Sequence, residues 1–236
     1  MKPTENICIV KSFCMLTPTV FETTFEPSQP LTFKAGQFAS VIIPGAGPKG
    51  RDLRRAYSIA SAPEVMPIEL CVKIVEDGPG TQYLYSLRPG DSLKIVAPYG
   101  DFVYKTDSKR VACFIATGTG IAPFRSMLLS QQYLENPPKR SLCLLGVRTE
   151  DELLYQGCFK KTPHLEYVNC VSQPAGVWNG FRGRVTDYIR TLPTDFPWLE
   201  ADYYLCGHGG MIQEIKTFLS ERGVTKDAIH QEIYYK

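Results

Sequence analysis

The chain changes its pattern once, between about residues 103 and 109, and the two patterns call for different folds. Up to about Tyr104, the short strand-like runs Phe38–Ile43, Ile68–Val75 and Ser92–Ala97 are cut by turn signals: Pro44-Gly45, Asp77-Gly78-Pro79-Gly80 and Arg88-Pro89-Gly90-Asp91. Regular short strands with Gly/Pro turns predict an antiparallel barrel or sandwich. Beyond Lys109, strand and helix signals alternate. Val111–Thr117 reads as an apolar strand, and Pro123–Leu134 places Phe124, Met127, Leu128 and Leu134 at helical spacing. Leu142–Val147 is a second strand, and Thr149 with Glu152 has the form of a capping box opening a short helix. Leu165–Val171, a segment around Val185–Leu192 and Asp202–Cys206 continue the alternation. Met211–Arg222 predicts a helix with Ile212, Ile215, Phe218 and Leu219 on one face and Gly223 as its stop, and Ala228–Tyr234 closes as a strand. That alternation predicts a parallel sheet covered by helices. The polar Thr106-Asp107-Ser108 marks the junction, so two domains are expected, 1–106 and 107–236.

A length of 236 residues accommodates two domains of ordinary size. With 26 Lys+Arg against 24 Asp+Glu, net charge argues for neither a nucleic-acid nor a membrane-surface partner. The N-terminal Met1-Lys2-Pro3-Thr4-Glu5-Asn6 is polar and unlike a signal peptide. The longest apolar runs, such as Val111–Ala116 and Leu142–Val147, fall far short of the ~20 residues of a membrane span. A cytoplasmic protein is the expectation. None of the eight cysteines forms a C-x-x-C pair or an iron–sulfur or zinc spacing, so no metal site is predicted. Any electron acceptor is therefore expected on another molecule.

Two segments carry the chemistry. Arg55-Ala56-Tyr57-Ser58-Ile59-Ala60-Ser61 offers a cation, an aromatic face and a hydroxyl within four consecutive residues. By alternation it also reads as an ordinary strand, with Tyr57 and Ile59 inward and Ser58 and Ala60 outward. Gly78-Pro79-Gly80-Thr81, followed by Gln82-Tyr83-Leu84, reads as a turn opening a short helix, where backbone N–H groups and the Thr81 hydroxyl could hold phosphate oxygens with help from Arg55. It reads equally as a hairpin turn. Thr117-Gly118-Thr119-Gly120-Ile121-Ala122-Pro123 follows a strand and precedes a helix, the context of a phosphate-binding turn, although the third fingerprint glycine is replaced by Pro123.

In order, Phe33-Lys34-Ala35-Gly36-Gln37-Phe38, Arg55-Ala56-Tyr57-Ser58, Gly78-Pro79-Gly80-Thr81, Gly90-Asp91, Ala97-Pro98-Tyr99-Gly100-Asp101-Phe102, Gly118-Thr119-Gly120-Ile121-Ala122-Pro123, Gly146-Val147-Arg148, Cys206-Gly207-His208-Gly209-Gly210-Met211 and Glu232-Ile233-Tyr234 resemble the motifs of ferredoxin–NADP⁺ reductase-type flavoproteins over nearly the whole chain. The resemblance implies a Greek-key FAD-binding barrel followed by an α/β NAD(P)-binding domain. Tyr57 would lie against the isoalloxazine ring, Ser58 near flavin N5, and Arg55, Ala56, Gly78, Gly80 and Thr81 around the FAD pyrophosphate. Cys71, Val72 and Lys73 would run beside the ribityl chain. Thr117, Gly118, Thr119, Gly120 and Pro123 would receive the dinucleotide pyrophosphate, with Cys206, Gly207 and Met211 on the nicotinamide side. Tyr234 matches the aromatic that covers the flavin, with Glu232 close to the proton and electron path. The chain runs on to Tyr235 and Lys236, so either tyrosine could be that cover, and the pair also reads as strand-end aromatics.

Coenzyme choice stays open between NADPH and NADH. Ser172 is followed by Gln173-Pro174, where NADP-specific members commonly carry a basic residue, and Gln173-Pro174 with Trp178 resembles NADH-using oxygenase reductases. Arg148, Arg182 and Arg184 could grip a 2′-phosphate or simply face solvent. The implied activity is hydride transfer from NAD(P)H to FAD and stepwise release to a separate ferredoxin or flavodoxin, by a monomer. Lys49, Arg51, Arg54 and Arg55 would steer an acidic carrier, or form a charged surface loop. Alternatives are the reductase component of an oxygenase, a reductase of free flavin, quinone or ferric chelates, and a flavin-bearing regulatory subunit without turnover. His164, His208 and His230 are not needed as bases, and His208 reads as a solvated loop side chain.

Overall fold

In a computed structural model, residues 2–105, 109–159 and 162–235 are described, the side chain of Tyr235 excepted. The expected junction at 106/107 lies outside them. The chain forms two compact units: residues 1–104 with 122–131, and residues 105–121 with 132–236.

The first unit is a six-stranded antiparallel sheet: β1 (Thr4–Thr17), β2 (Val20–Pro27), β3 (Phe38–Ile43), β4 (Leu53–Ser58), β5 (Ile68–Lys73) and β6 (Ser92–Tyr99). Their order, β4-β3-β6-β1-β2-β5, is a Greek key. A bridge between Ile59 and Leu70 joins its two ends into a barrel. Cys8, Val10, Phe21, Phe25, Val41, Leu70 and Ile95 fill the interior. The helix α1 (Pro79–Ser86) follows β5 and buries Leu84 completely, a contribution of about 1.5–3 kcal/mol that fixes its position. The helix α2 (Ala122–Leu129) also belongs to this unit, with Phe124 against Phe102 at 6.0 Å between ring centroids.

The second unit is a six-stranded parallel sheet of β7 (Val111–Thr117), β8 (Arg140–Val147), β9 (Leu165–Val171), β10 (Phe181–Arg182), β11 (Ala201–His208) and β12 (Ile229–Tyr235), ordered β10-β9-β8-β7-β11-β12. The helices α3 (Gln131–Glu135), α4 (Gln156–Phe159), α5 (Val185–Arg190) and α6 (Gly209–Glu221) complete it. The apolar face of α6, with Ile212, Ile215, Phe218 and Leu219, packs into a core with Val111, Ile115, Leu144 and Leu205. Gly223, at φ +79, ends that helix as expected.

Three local expectations are corrected. The segment read as one helix over 123–134 is two, broken at Ser130, whose hydroxyl and N–H both donate to the Met127 carbonyl; Leu134 is left 49% exposed. Thr149 and Glu152 form no capping box: the Glu152 carboxylate accepts from Arg148 N–H at 2.9 Å, and a 3-10 turn follows instead. Ser58 and Ala60 do not point out to solvent, because the barrel closes around them and leaves them 5% and 0% exposed.

Candidate functional site

In the barrel unit, the closure at Ile59–Leu70 sets the candidate flavin face. Tyr57 pairs with Ala39 and Cys71 with Glu22, each on its outer side. The ladder between β4 and β5 is not continued beyond the bridge, so Arg55–Ser58 line one lip and Cys71–Lys73 the other. Arg55, Ala56 and Lys73 are exposed, whereas Ser58, Cys71 and Val72 are buried. The start of α1 packs directly on the first lip. A Cβ on Gly80 would stand 2.5 Å from the Tyr57 hydroxyl and 2.8 Å from Arg55 Cγ, so any side chain there would displace one of the two. Two motifs far apart in sequence thus become one surface: a cation, an aromatic ring and a helix N-terminus whose first amides have no intrahelical acceptor. Burial raises the Tyr57 hydroxyl to about 12, against the smaller opposing effect of Arg55, and keeps the ring neutral. The Thr81 hydroxyl lies within hydrogen-bond distance of the Val75 carbonyl, the Val75 N–H and the Gly78 carbonyl, so it closes the loop that presents Gly78 and Gly80. These residues fit a ligand with a flat ring and an anionic tail. A separate cavity of the unit, lined by Lys34, Gln37, Tyr99 and Asp101, includes none of them.

In the parallel-sheet unit, chain order reverses between β7 and β11, and their carboxyl ends form the crevice where such sheets bind ligands. The turn Gly118–Ile121 leaves β7 with Gly118 at φ +52. Gly120 lies so close to the Cys206 carbonyl that a Cβ has no room, and Gly207, at φ +125, lies equally close to Thr117. The Thr117 hydroxyl accepts from His208 N–H at 2.9 Å, tying the two loops together. His208 is not merely solvated: its Nδ1 accepts from Gly210 N–H at 3.0 Å and caps α6. Met211 follows in the first turn of α6, but its side chain belongs to the apolar core. Pro123, expected beside the glycine turn, is buried in α2 and grouped with the barrel unit.

Cys206 pairs with Glu232 across β11 and β12, and Tyr234 lies close enough to act on its thiol. Burial, with Glu232 adding to it, pushes the Cys206 thiol well above its ordinary range. It is therefore a neutral wall and no nucleophile. On the same face, Phe114 stacks on Tyr204, and His230, from the strand on its other side, lies tilted against it, with ring centroids 5.0 and 4.9 Å apart. Arg148, Arg182 and Arg184 are exposed at the carboxyl ends of β8 and β10. Gln173 N–H donates to the Arg148 carbonyl at 2.7 Å and Gly183 N–H to the Val171 carbonyl at 2.9 Å, which gathers these segments along one edge. Glu150 accepts from Ala175 and Gly176 N–H at 3.0 and 3.2 Å, and backbone hydrogen bonds, its own first, lower its carboxyl. Nothing in its local sequence signals that clamp.

An antiparallel barrel with a helix start packed on its seam, and a parallel sheet with a glycine turn at its switch point, are the parts expected of a protein that takes two nucleotide ligands. The family model described as oxidoreductase FAD-binding domain matches residues 17–104, and that described as oxidoreductase NAD-binding domain matches residues 114–217. The chain is 32% identical over 231 residues to ferredoxin–NADP reductase B of Sorangium cellulosum (strain So ce56), covering 93% of both. It is also 32% identical over 237 residues to the phenol hydroxylase P5 protein of Acinetobacter pittii (strain PHEA-2), covering 92% of this chain but 62% of that one. A ferredoxin NADP⁺ reductase from Neisseria gonorrhoeae, solved with bound FAD and NADP, shares the fold at a TM-score of 0.83 and 21% identity, covering 99% of each chain. The chain is an oxidoreductase and belongs to the ferredoxin–NADP⁺ reductase family of flavoproteins, with an FAD-binding and an NAD-binding domain.

Proposed function

We propose that this chain takes a hydride from NADPH or NADH and delivers the electrons singly to a separate carrier protein, a ferredoxin or flavodoxin. The observation that carries the reading is the meeting of Cys206, Glu232 and Tyr234 at the end of β11 and β12, with Gly120 against the Cys206 carbonyl. Bound FAD supplies the conversion of a two-electron donor into single electrons.

The residues divide the remaining work. Tyr57 offers its neutral ring to the flavin, and Ser58 its hydroxyl at the reacting edge, while Cys71, Val72 and Lys73 border the ribityl chain. Arg55 and the N-terminus of α1 offset the pyrophosphate charge. Gly118 and Gly120 let backbone approach the dinucleotide pyrophosphate. Cys206 presents an uncharged wall to the nicotinamide, Glu232 stands close to the proton and electron path, and Tyr234 is the aromatic cover that leaves when nicotinamide enters. Residues 1–106 would serve FAD and 107–236 the dinucleotide.

Lys49, Arg51, Arg54 and Arg55 are all exposed around the start of β4, a charged rim suited to an acidic carrier. The printed name of the Sorangium relative favours a ferredoxin. The P5 protein's name favours a second reading, the reductase part of an oxygenase, with the same chemistry and a different acceptor. Among the described residues no helix is long and apolar enough to cross a membrane, and a cytoplasmic monomer is the accompanying proposal.

Anaerobic titration of the FAD-loaded protein with NADPH and with NADH, followed by mixing with ferredoxin, flavodoxin or an oxygenase, tests the reading. Flavin bleaching and reoxidation by a carrier are expected. A protein that stays colourless after purification with added FAD sinks it.

A further inference from the structure

The barrel closure beside Ser58 is stitched by more than its single bridge. Ala60 N–H donates to the Glu69 carbonyl at 2.8 Å, and Glu69 N–H donates to Ser61 Oγ at 3.2 Å. Arg125, the single charged residue of α2, inserts here. Its Nη1 donates to the Ala60 carbonyl at 2.9 Å and pairs with the Glu69 carboxylate. The two side chains are 15% and 19% exposed. On one side of the stitch stands Ser58, two residues before Ala60. On the other, Arg125 lies four residues after Ile121, the end of the glycine turn.

We propose that Arg125 is a positioning residue for the redox reaction: by clamping Ala60 and Glu69 it holds the Ile59–Leu70 closure, and with it the Ser58 hydroxyl, in register with the flavin edge. The inference rests on the flavin reading of Ser58. A pair this little exposed is a poor source of stability compared with apolar packing, since both charges lose water. What it supplies is geometry. One nitrogen of the planar guanidinium, Nη1, donates to both the carbonyl and the carboxylate, and the plane fixes the directions of its two N–H bonds as a freely rotating ammonium does not. α2 would still be held to the barrel by its apolar contacts, Phe124 on Phe102 among them.

The test is a double-mutant cycle on FAD-loaded protein, comparing Ser58→Ala, Arg125→Ala and the pair, with Arg125→Lys and Glu69→Gln as milder variants. Flavin content, the visible flavin spectrum, exchange of the Ala60 amide, and the rate of flavin reduction at saturating nucleotide are read for each. Arg125→Ala is expected to keep FAD and nucleotide affinity, speed exchange at Ala60, and slow reduction about ten-fold or more, the worth of one charged hydrogen bond. Adding it to Ser58→Ala is expected to slow reduction little further. Lys at position 125 should restore part of the rate. Should Arg125→Ala fail to fold, Glu69→Gln, close in shape, carries the same cycle. Additive effects with Ser58→Ala, or an unchanged rate in Arg125→Ala or Glu69→Gln, overturn the clamp alone. An unchanged rate in Ser58→Ala overturns the flavin reading of Ser58, and the clamp with it.

Discussion

The carbonyl oxygen of Cys206 occupies the space that a side chain on Gly120 would need. The glycine turn and the nicotinamide-side loop are therefore fitted backbone to backbone, with His208 N–H on Thr117 as the second tie. Gly120→Ala should push the two loops apart at a cost of about 1–3 kcal/mol. FAD content should stay at the wild-type level, while the dissociation constant for NAD(P)H rises by about ten-fold or more. Nucleotide titration of the oxidised protein, monitored by flavin absorbance, measures both.

Tyr234→Ser removes the ring proposed as the flavin cover, beside Cys206. Discrimination between NADPH and NADH should shrink, because nicotinamide would no longer compete with a ring for its place. Steady-state kinetics with each coenzyme report it; unchanged kcat/KM for both would remove Tyr234 from that role.

Arg182 and Arg184 stand at the edge where an adenosine 2′-phosphate is expected. Arg182→Ala and Arg184→Ala should weaken NADPH by about 10-fold or more per charged hydrogen bond lost, and leave NADH almost untouched. Equal losses for both coenzymes would show that the guanidiniums do not read the phosphate.

His230 supplies a pH test of stability. Its imidazole is pushed below the ordinary histidine range, first by burial and next by Lys105, with Asp202 opposing. A folded value below the unfolded one means that the unfolded chain binds the extra proton. The contribution is fully present above the unfolded value near 6.5 and is lost as pH falls through the lower folded value. Melting temperature should drop between about pH 7 and 5, and His230→Phe should flatten that limb while preserving the ring contact with Tyr204.

The parallel sheet was legible because its central strands are buried on both faces. Val111–Thr117, buried almost throughout, was bounded to the residue; so was Leu165–Val171, although only Cys170 and Val171 of it are buried. The first two strands were not. In β1, Ile7, Ile9 and Met15 are apolar yet 49%, 39% and 44% exposed, and register shifts at Val10/Ser12 and Met15/Thr17 break the period of two. The site motifs were legible as local pieces, and their pairings needed the fold. Gly80 on Tyr57 and Gly120 on Cys206 are contacts between distant segments. Arg125 carried no signal beyond being a lone charge in an apolar helix, and His208 lay in a glycine-rich loop that disguised a helix cap.

The assignment of α2 to the barrel unit has a consequence for modularity. The helix is encoded after the glycine turn, yet its side chains serve the structure encoded before residue 105. No single cut separates the two units. A chain ending near residue 104 would lose the partner of Phe102 and the clamp on Glu69, and the remainder would carry a helix stripped of its bed. The two units are interleaved in sequence, so exchanging either one at a single cut would break the contacts of α2.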